Sequence, residues 1–198
     1  MEPRSRPGRQ QVRGRLLKAA LAEFHEFGYA GARLEAIARR AGFTKGAVYS
    51  NFSSKQALFS ALLAEHSQAL TAGIIADVDA LDMPTAVARA SAVLAGQLVQ
   101  DPQWQSLVVE FALQAGRDDN AGQVYVEQRR ELRRTLAEAL GAQAEQWGIT
   151  PRLDAERAAT MLLAMLYGLA VEHAADPQAV DMEVMRESVA AILNRVWL

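Results

Sequence analysis

The sequence predicts an all-α protein with an N-terminal helix-turn-helix domain of three helices and a larger C-terminal helical domain. Apolar residues make up 51% of the 198 residues and aromatic residues 7%, with only 13 glycines and 6 prolines. Alanine and leucine therefore supply most of the apolar content, and the β-branched and aromatic residues that strands prefer are scarce. Apolar side chains recur at intervals of three and four residues along most of the chain, without a convincing strand or internal repeat.

The charge of the chain is divided between its two ends. Residues 1–59 contain 11 lysines and arginines against 4 aspartates and glutamates, a balance of +7. Residues 60–198 contain 10 against 19, a balance of −9. The basic N-terminal segment suits a polyanion, and the acidic remainder does not.

Composition excludes several kinds of chemistry. The chain has no cysteine, which rules out disulfides, thiolate catalysis and cysteine zinc sites, and a reducing cytoplasm is compatible with this.

No apolar segment typical of a signal peptide is visible near the N-terminus. The longest apolar run, from Ala158 to Val171, is shorter than the roughly 20 residues that span a bilayer. We therefore expect a cytoplasmic protein without a membrane partner.

The N-terminal elements can be assigned in order. Residues 1–10 are rich in arginine, proline and glycine, and we expect a flexible basic arm. This arm is either a frayed tail or a contact to phosphates or a minor groove. A first helix is expected from about residue 11 to 27, where Gly28 can end it.

Two short helices should follow. The inner stripe of the second helix consists of Leu34, Ile37, Ala38 and Ala41. Gly42 can end this helix because glycine readily adopts a positive φ, and Thr44 is a suitable N-cap for the third. Ser53, with Gln56 three residues later, forms a capping-box pattern before a long fourth helix. The DNA-binding domain is thus expected to cover residues 11–59 and to continue into the connecting helix to about residue 76.

Five further helices are expected in the C-terminal domain, residues 77–198. They should cover approximately residues 84–100, 102–115, 120–147, 154–174 and 181–196. The Asp101-Pro102 pair favours a helix start, because proline at the first helical position loses a donor that has no partner there.

Residues 44–51 have the composition of a DNA-reading helix. If Val48 and Phe52 point inward, the outer face carries small and hydrogen-bonding groups: Lys45, Gly46, Ala47, Tyr49, Ser50 and Asn51. Lys45 can donate to guanine, and Ala47 can touch a thymine methyl in the major groove. Phosphate contacts are suited to Tyr49, Asn51 and Lys55. Thr44 can cap the helix and also donate to a phosphate. The alternative is a helix-turn-helix used only for packing.

The same stretch resembles the tetracycline-repressor (TetR) family of bacterial transcription regulators. The shared features are the Ile37-Ala38 pair, the Ala41-Gly42 turn, the polar helix from Thr44 to Ala47, the Tyr49-to-Phe52 ending and Ser54-Lys55. The similarity covers residues 12–59. Two departures are Ala32 and Arg33 where the family has threonine or serine, and Asn51 where it often has histidine. The resemblance implies a double-stranded DNA operator and a function as a repressor.

The apolar surface of the last two helices exceeds what one chain of this size needs to cover, which suggests a partner chain; the alternative is an ordinary buried helix. The resemblance implies a homodimer through these helices, with Leu162, Leu166, Leu169, Val189, Ile192 and Leu193 at the interface. Two reading helices across a two-fold axis would then bind half-sites of a near-palindrome.

The resemblance also implies a cavity for a small, largely apolar effector. The candidate lining residues are Trp104, Phe111, Gln114, Tyr125, Gln128, Met161 and Met165, with Glu110 as a further polar anchor. Aromatic residues and methionines at helical spacing are equally typical of a core. Effector binding that changes the spacing of two reading helices would change DNA affinity by reciprocal coupling.

No enzyme, metal or cofactor is expected. His25, His66 and His173 lie on different predicted helices, without the spacing that brings imidazoles to one metal. No phosphate-binding glycine loop or nucleophile elbow is present either. A helical enzyme with a buried substrate, and a helical adaptor whose last helices bind another protein, are the two alternative functions.

Overall fold

A computed structural model describes residues 8–116 and 119–197, with the side chains of residues 119–121 outside the description. Most of the predicted arm, residues 1–7, lies outside the described residues. The described part of the chain forms nine α-helices and no strands. They are α1 (Arg9–Gly31), α2 (Leu34–Ala41), α3 (Lys45–Tyr49), α4 (Lys55–Val78), α5 (Met83–Gln100), α6 (Pro102–Ala115), α7 (Asp119–Gln146), α8 (Ala155–Ala175) and α9 (Met182–Trp197). The prediction of an all-α fold is confirmed.

Two glycines shape the N-terminal helices. Gly28 has φ 70° and ψ 172°, so α1 kinks there and resumes for a final turn instead of ending. Gly42 has φ 74°, and its amide reaches back to the last turn of α2. Side chains with a Cβ rarely adopt such angles, which explains glycine at both positions.

Side-chain caps fix the starts of several helices. Asp82 accepts a hydrogen bond from Thr85 N at 2.9 Å, and Asp154 accepts one from Arg157 N at 3.0 Å. At α4 the cap is Ser54, whose Oγ accepts from Ala57 N at 3.0 Å. The predicted capping box on Ser53 is therefore wrong by one residue.

The chain forms two compact units. Among the described residues, the first contains 8–65, 110–116 and 119–125, and the second contains 66–109 and 126–197. This division differs from the predicted boundary near residue 76, because the end of α6 and the start of α7 group with the N-terminal helices. The larger unit is built on the packing of α5, α8 and α9.

The core of the first unit includes a cluster of aromatic rings. Phe24, Tyr29 and Phe59 pack with centroids 5.1–5.7 Å apart, and Phe111 lies 4.7 Å from Phe59 and 4.9 Å from Tyr29. Tyr125 adds an edge contact to Phe111 at 5.5 Å. Phe111 and Tyr125 thus extend the aromatic core that α1 and α4 form in this unit.

Helix α8 is long and apolar enough to cross a membrane by length and composition, although the sequence had suggested a shorter apolar run. Within the second unit, Ala158 and Leu162 of α8 belong to a core that also contains Val189 and Leu193 of α9. A core helix of a globular protein passes the same test, and these two residues of α8 are packed inside the second unit.

Candidate nucleic-acid interface

Helix α3 is held by an apolar anchor and a side-chain cap. Val48 is fully buried and Phe52 is 4% exposed, which fixes one face of the helix against the N-terminal core. Thr44 Oγ1 lies 3.4 Å from Ala47 N, a long capping hydrogen bond. The opposite face must therefore be turned to solvent.

The outer face of α3 contains the residues that the sequence assigned to DNA. Lys45 and Tyr49 are exposed, with 56% of the lysine side chain and 47% of the tyrosine accessible. Thr44, Gly46 and Ser50 are also exposed, whereas Ala47 and Asn51 are half-buried. Five of the eight predicted DNA-contact residues are thus exposed on or beside α3, and their contact with DNA stays a prediction.

Two of these side chains also bind the helix itself. Asn51 Nδ2 donates to Ala47 O at 2.8 Å, and Ser50 Oγ donates to the same carbonyl at 3.0 Å. Asn51 Nδ2 also lies 3.4 Å from Ser50 Oγ, which leaves the amide oxygen of Asn51 as its acceptor group. Both side chains thus hydrogen-bond to the backbone at the end of α3.

Lys45 forms an ion pair that the sequence analysis did not identify. Its Nζ lies 2.5 Å from Glu35 Oε1 in the first turn of α2 and 5.7 Å from the centre of the Tyr49 ring. The hydrogen bond from Lys45 lowers the pKa of the Glu35 carboxyl, and the reciprocal bond raises the pKa of Lys45. Both groups are therefore charged at neutral pH.

Lys55 does not fit its predicted role as a phosphate contact. Its Nζ donates to the carbonyls of Tyr29, Ala30 and Ala32 at 2.8, 3.0 and 3.2 Å. All three ammonium donors are thus satisfied by the chain, and burial lowers the pKa of Lys55. The correction is that Lys55 stabilises the turn before α2.

Glu110 binds the backbone amides of the same turn, whereas Lys55 binds its carbonyls. Its carboxylate accepts hydrogen bonds from Tyr29 N at 2.7 Å and Ala30 N at 2.8 Å. These amides follow Gly28, where the kink removes their helical partners, and a Cβ on Gly28 would lie 3.1 Å from Glu110 Oε2. Glu110 and Lys55 thus form a clamp on the Tyr29–Ala32 segment, and Glu110 is committed here instead of to an effector.

Two arginines of α1 support the helix-turn-helix in ways that sequence spacing did not indicate. Arg15 Nη2 donates to Ala41 O at 2.8 Å, and its guanidinium lies 4.6 Å from the Phe43 ring. Arg13 lies over Phe52 at 4.7 Å. Cations at the C-terminus of a helix such as α2 are stabilised by its dipole.

The predicted effector residues are distributed over both units. Phe111, Gln114 and Tyr125 belong to the first unit, and Trp104, Gln128, Met161 and Met165 belong to the second. Phe111 is fully buried and Trp104 is 3% exposed, with its ring 4.3 Å from that of His66. Met161 is 46% exposed, and the other four are half-buried. The assignment of an effector cavity to these residues stays a prediction.

Three of the predicted interface residues are buried within their own chain. Leu162, Val189 and Leu193 are at most 3% exposed and belong to one core cluster of the second unit. They join α8 to α9 and are not accessible to a second copy, which corrects that part of the prediction. Leu166 and Ile192 are half-buried at the margin of this core, and Leu169 is half-buried beside a neighbouring core cluster.

The outer face of α8 offers an alternative surface. Met161 and Val171 are 46% and 48% exposed, and between them Ala164 and Gly168 are also exposed. These four residues follow intervals of three and four and so lie on one side of the helix. They form an apolar stripe with small residues at its centre.

Other features do not form a chemical site. Among the described residues, no group of three histidine or acidic side chains could hold a metal ion. A shallow depression on the second unit is lined by Glu127, Arg130, Glu131, Arg133, Arg134 and Glu156. Opposite charges alternate there, and Arg134 pairs with Glu131, as expected for an exposed helix face.

Comparisons with known proteins agree with this arrangement. The family model "Bacterial regulatory proteins, tetR family" matches residues 16–62, and the model "BetI-type transcriptional repressor, C-terminal" matches residues 84–198. Together the two models cover both the helix-turn-helix and the C-terminal helices.

Two curated relatives and one solved structure illustrate the similarity. The chain is 42% identical over 66 residues to the HTH-type transcriptional activator FasR of Mycolicibacterium smegmatis. The aligned residues cover 33% of this chain and 30% of that protein. It is 22% identical over 173 residues to the HTH-type transcriptional regulator UidR of Escherichia coli, 87% of this chain and 85% of that protein. A transcriptional regulator from Saccharomonospora viridis, solved in complex with choline, is 18% identical with a TM-score of 0.65, covering 93% of this chain and 96% of the other.

These likenesses have different extents. The chain spans only about a third of the length of the first curated relatives it matches. The S. viridis structure, at its low identity, shows the fold alone.

Proposed function

The chain belongs to the TetR family of bacterial transcriptional regulators, and on that premise we propose that it is a cytoplasmic homodimeric repressor. In this proposal it binds a near-palindromic operator and leaves it when a small, largely apolar ligand binds. The single observation that carries the proposal is the display of Lys45 and Tyr49 on the outer face of α3, opposite the buried Val48. The C-terminal family model describes repressors, which supports the direction of regulation.

The DNA-binding part of the proposal rests on size, charge and exposure. A short helix with small and donor side chains fits a major groove about 12 Å wide. The basic balance of residues 1–59 favours phosphates, and each phosphate contact releases counterions, so affinity should fall steeply with salt. Selection of bound fragments from a random DNA pool tests sequence preference, two-fold symmetry and half-site spacing together. Recovery of fragments without any common sequence would contradict the proposal.

Substitution of Lys45 by alanine is expected to weaken binding to the selected DNA by about tenfold or more, because a good base contact discriminates by about 1–3 kcal/mol. Fluorescence anisotropy with a labelled fragment measures the change. Arg134→Ala is the matched control, since it removes the same charge from an exposed helix of the second unit. Equal losses for the two variants would mean that Lys45 contributes only general charge.

The homodimer is proposed to form through the outer stripe of α8 and the exposed side of α9. The α8 stripe consists of Met161, Ala164, Gly168 and Val171. On α9 the exposed apolar residues include Val184 and Ala191. Small side chains allow two helices to approach closely, and the larger ones can pack around them. Dimerisation would present two α3 helices to half-sites about 34–36 Å apart.

An effector is proposed because regulators with this fold bind small molecules, as the S. viridis protein binds choline. The candidate lining residues remain those that the sequence analysis identified, without Glu110. Thermal shift assays with a library of small apolar and cationic compounds would test this part. A ligand that raises the unfolding temperature and lowers DNA affinity is the expected result.

A further inference from the structure

The ion pair between Glu35 and Lys45 places an acidic group on the face that is proposed to meet DNA. Glu35 Oε1 and Lys45 Nζ are 2.5 Å apart, and the two side chains are 54% and 56% exposed. Glu35 belongs to the first turn of α2, so the pair joins the two helices of the helix-turn-helix. The carboxylate therefore lies beside the reading side of α3.

Glu35 differs from the other acidic residues of the N-terminal segment. Glu23 and Glu26 both pair with Arg40, at 3.4 and 2.5 Å, which joins α1 to α2. Only Glu35, among the acidic side chains described in residues 8–59, has its ion-pair partner on α3. Phosphates repel a carboxylate, so a contact to the DNA backbone does not explain an acid at this position.

We propose that Glu35 determines operator specificity, and that Glu35 and Lys45 together recognise one G·C base pair in each half-site. The proposal rests on the DNA-binding function proposed above. In the major groove guanine presents two acceptors, O6 and N7, and cytosine presents the N4 amino donor beside them. Lys45 supplies the donor for guanine, and Glu35 supplies the acceptor for cytosine.

The geometry of the pair matches the edge of that base pair. Guanine O6 and cytosine N4 are neighbours in the groove, and Lys45 Nζ and Glu35 Oε1 are neighbours in the protein. The ammonium has three donors, so one can hold Glu35 while others reach guanine. Tyr49, whose ring lies 5.7 Å from the ammonium, restricts Lys45 from the other side. Lys45 is thus oriented before binding, which reduces the entropy that binding would otherwise cost.

The alternative is that the pair is an ordinary surface ion pair without a role in recognition. Exposed pairs contribute little to stability, so stability measurements alone cannot separate the two. Base preference can, because a surface ion pair that does not touch DNA leaves the preferred sequence unchanged. Glu26, which is equally exposed and also pairs at 2.5 Å, provides a matched control away from α3.

The experiment is selection from a random DNA pool with the wild-type protein, Glu35→Ala and Glu26→Ala, followed by anisotropy on the enriched fragments. Alanine removes the acceptor, whereas the amide oxygen of glutamine would still accept from cytosine N4. We expect a G·C pair at one position of each wild-type half-site. Glu35→Ala should lose discrimination at that position by about tenfold or more while the other positions are retained. It should also bind unrelated DNA more tightly, because a negative charge near the phosphates is gone. Glu26→Ala should keep the wild-type preference.

Two outcomes contradict different claims. If Glu35→Ala enriches the same sequences as the wild-type protein, the specificity role of Glu35 is wrong and the DNA-binding function stands. If the wild-type protein enriches no sequence, the proposed function itself fails. If Glu35→Ala loses all binding, circular dichroism shows whether it is folded. Glu35→Gln, which keeps one acceptor oxygen at the same side-chain length, is then expected to retain the G·C preference, and a folded Glu35→Gln protein that binds without that preference would overturn the proposal.

Discussion

Substitution of Glu110 by glutamine is expected to lower the free energy of unfolding by about 1–3 kcal/mol and to weaken DNA binding in parallel. The carboxylate accepts from Tyr29 N and Ala30 N, whereas an amide offers only one acceptor oxygen and turns an N–H donor toward another donor. The Tyr29–Ala32 turn leads into α2, so its loosening costs order in the helix-turn-helix. Urea denaturation and anisotropy on selected DNA measure the two effects.

The control for this variant is Glu65→Gln, which removes the same charge from an exposed position of α4 in the same compact unit. Lys55→Met provides an independent test, because it removes the donors that hold three carbonyls of the same turn. Equal denaturation midpoints for Glu110→Gln and Glu65→Gln would show that the clamp does not stabilise the protein.

Introduction of arginine at Gly168 is expected to convert the proposed dimer into a folded monomer. Space around Gly168 is open in the single chain, so the new side chain meets no atom of its own subunit. Helix propensity also favours arginine over glycine by up to about 1 kcal/mol, so the monomer should not lose stability. Between two copies of α8, however, the side chain would prevent close approach. Analytical ultracentrifugation should show the monomer mass.

The same variant should lose at least about a hundredfold in affinity for the full operator, because linked half-site binding multiplies affinity by 10² to 10⁴. Gly73→Arg is the matched control: Gly73 is an exposed helical glycine with open space around it, on α4. A Gly168→Arg protein that sediments as a dimer would rule out the α8 stripe as the interface.

Local structure could largely be predicted from sequence, since its determinants are local. The bounds of α2 follow from the apolar period and from Gly42, which can adopt the positive φ required. The start of α5 follows from the Asp82 cap and the proline in its first turn. The outward display of Lys45 and Tyr49 follows from the inward position of Val48, because a helix has only one buried face here.

The clamp could not be predicted, because its partners are far apart in sequence. Glu110 binds amides 80 and 81 residues away, and the only local sign is Gly28, which leaves those amides without helical partners. The position of Lys55 after Ser54 suggests a phosphate contact. In the structure its ammonium group donates to three backbone carbonyls instead. Hydrogen bonds between a side chain and the backbone of a turn far away in the chain leave no periodic pattern in the sequence.

The interface residues illustrate a different limit. Helix α8 is apolar around much of its circumference, so periodicity cannot tell which side the chain covers itself. The structure shows that Leu162 faces α9 within the chain, while Gly168 and its apolar neighbours remain outside. Small residues such as Ala164 and Gly168 add little to a hydrophobic count, so the sequence pattern favours the leucines.

Residues 110–125 belong to the same compact unit as the N-terminal helices, and this has a consequence for protein engineering. A chimera that joins residues 1–76 of this chain to the body of another regulator would leave Phe59 without its contact to Phe111. It would also leave the amides of Tyr29 and Ala30 without Glu110. A transplantable reading head must therefore include the 110–125 segment, or a recipient whose own corresponding segment supplies an aromatic ring and a carboxylate at matching positions.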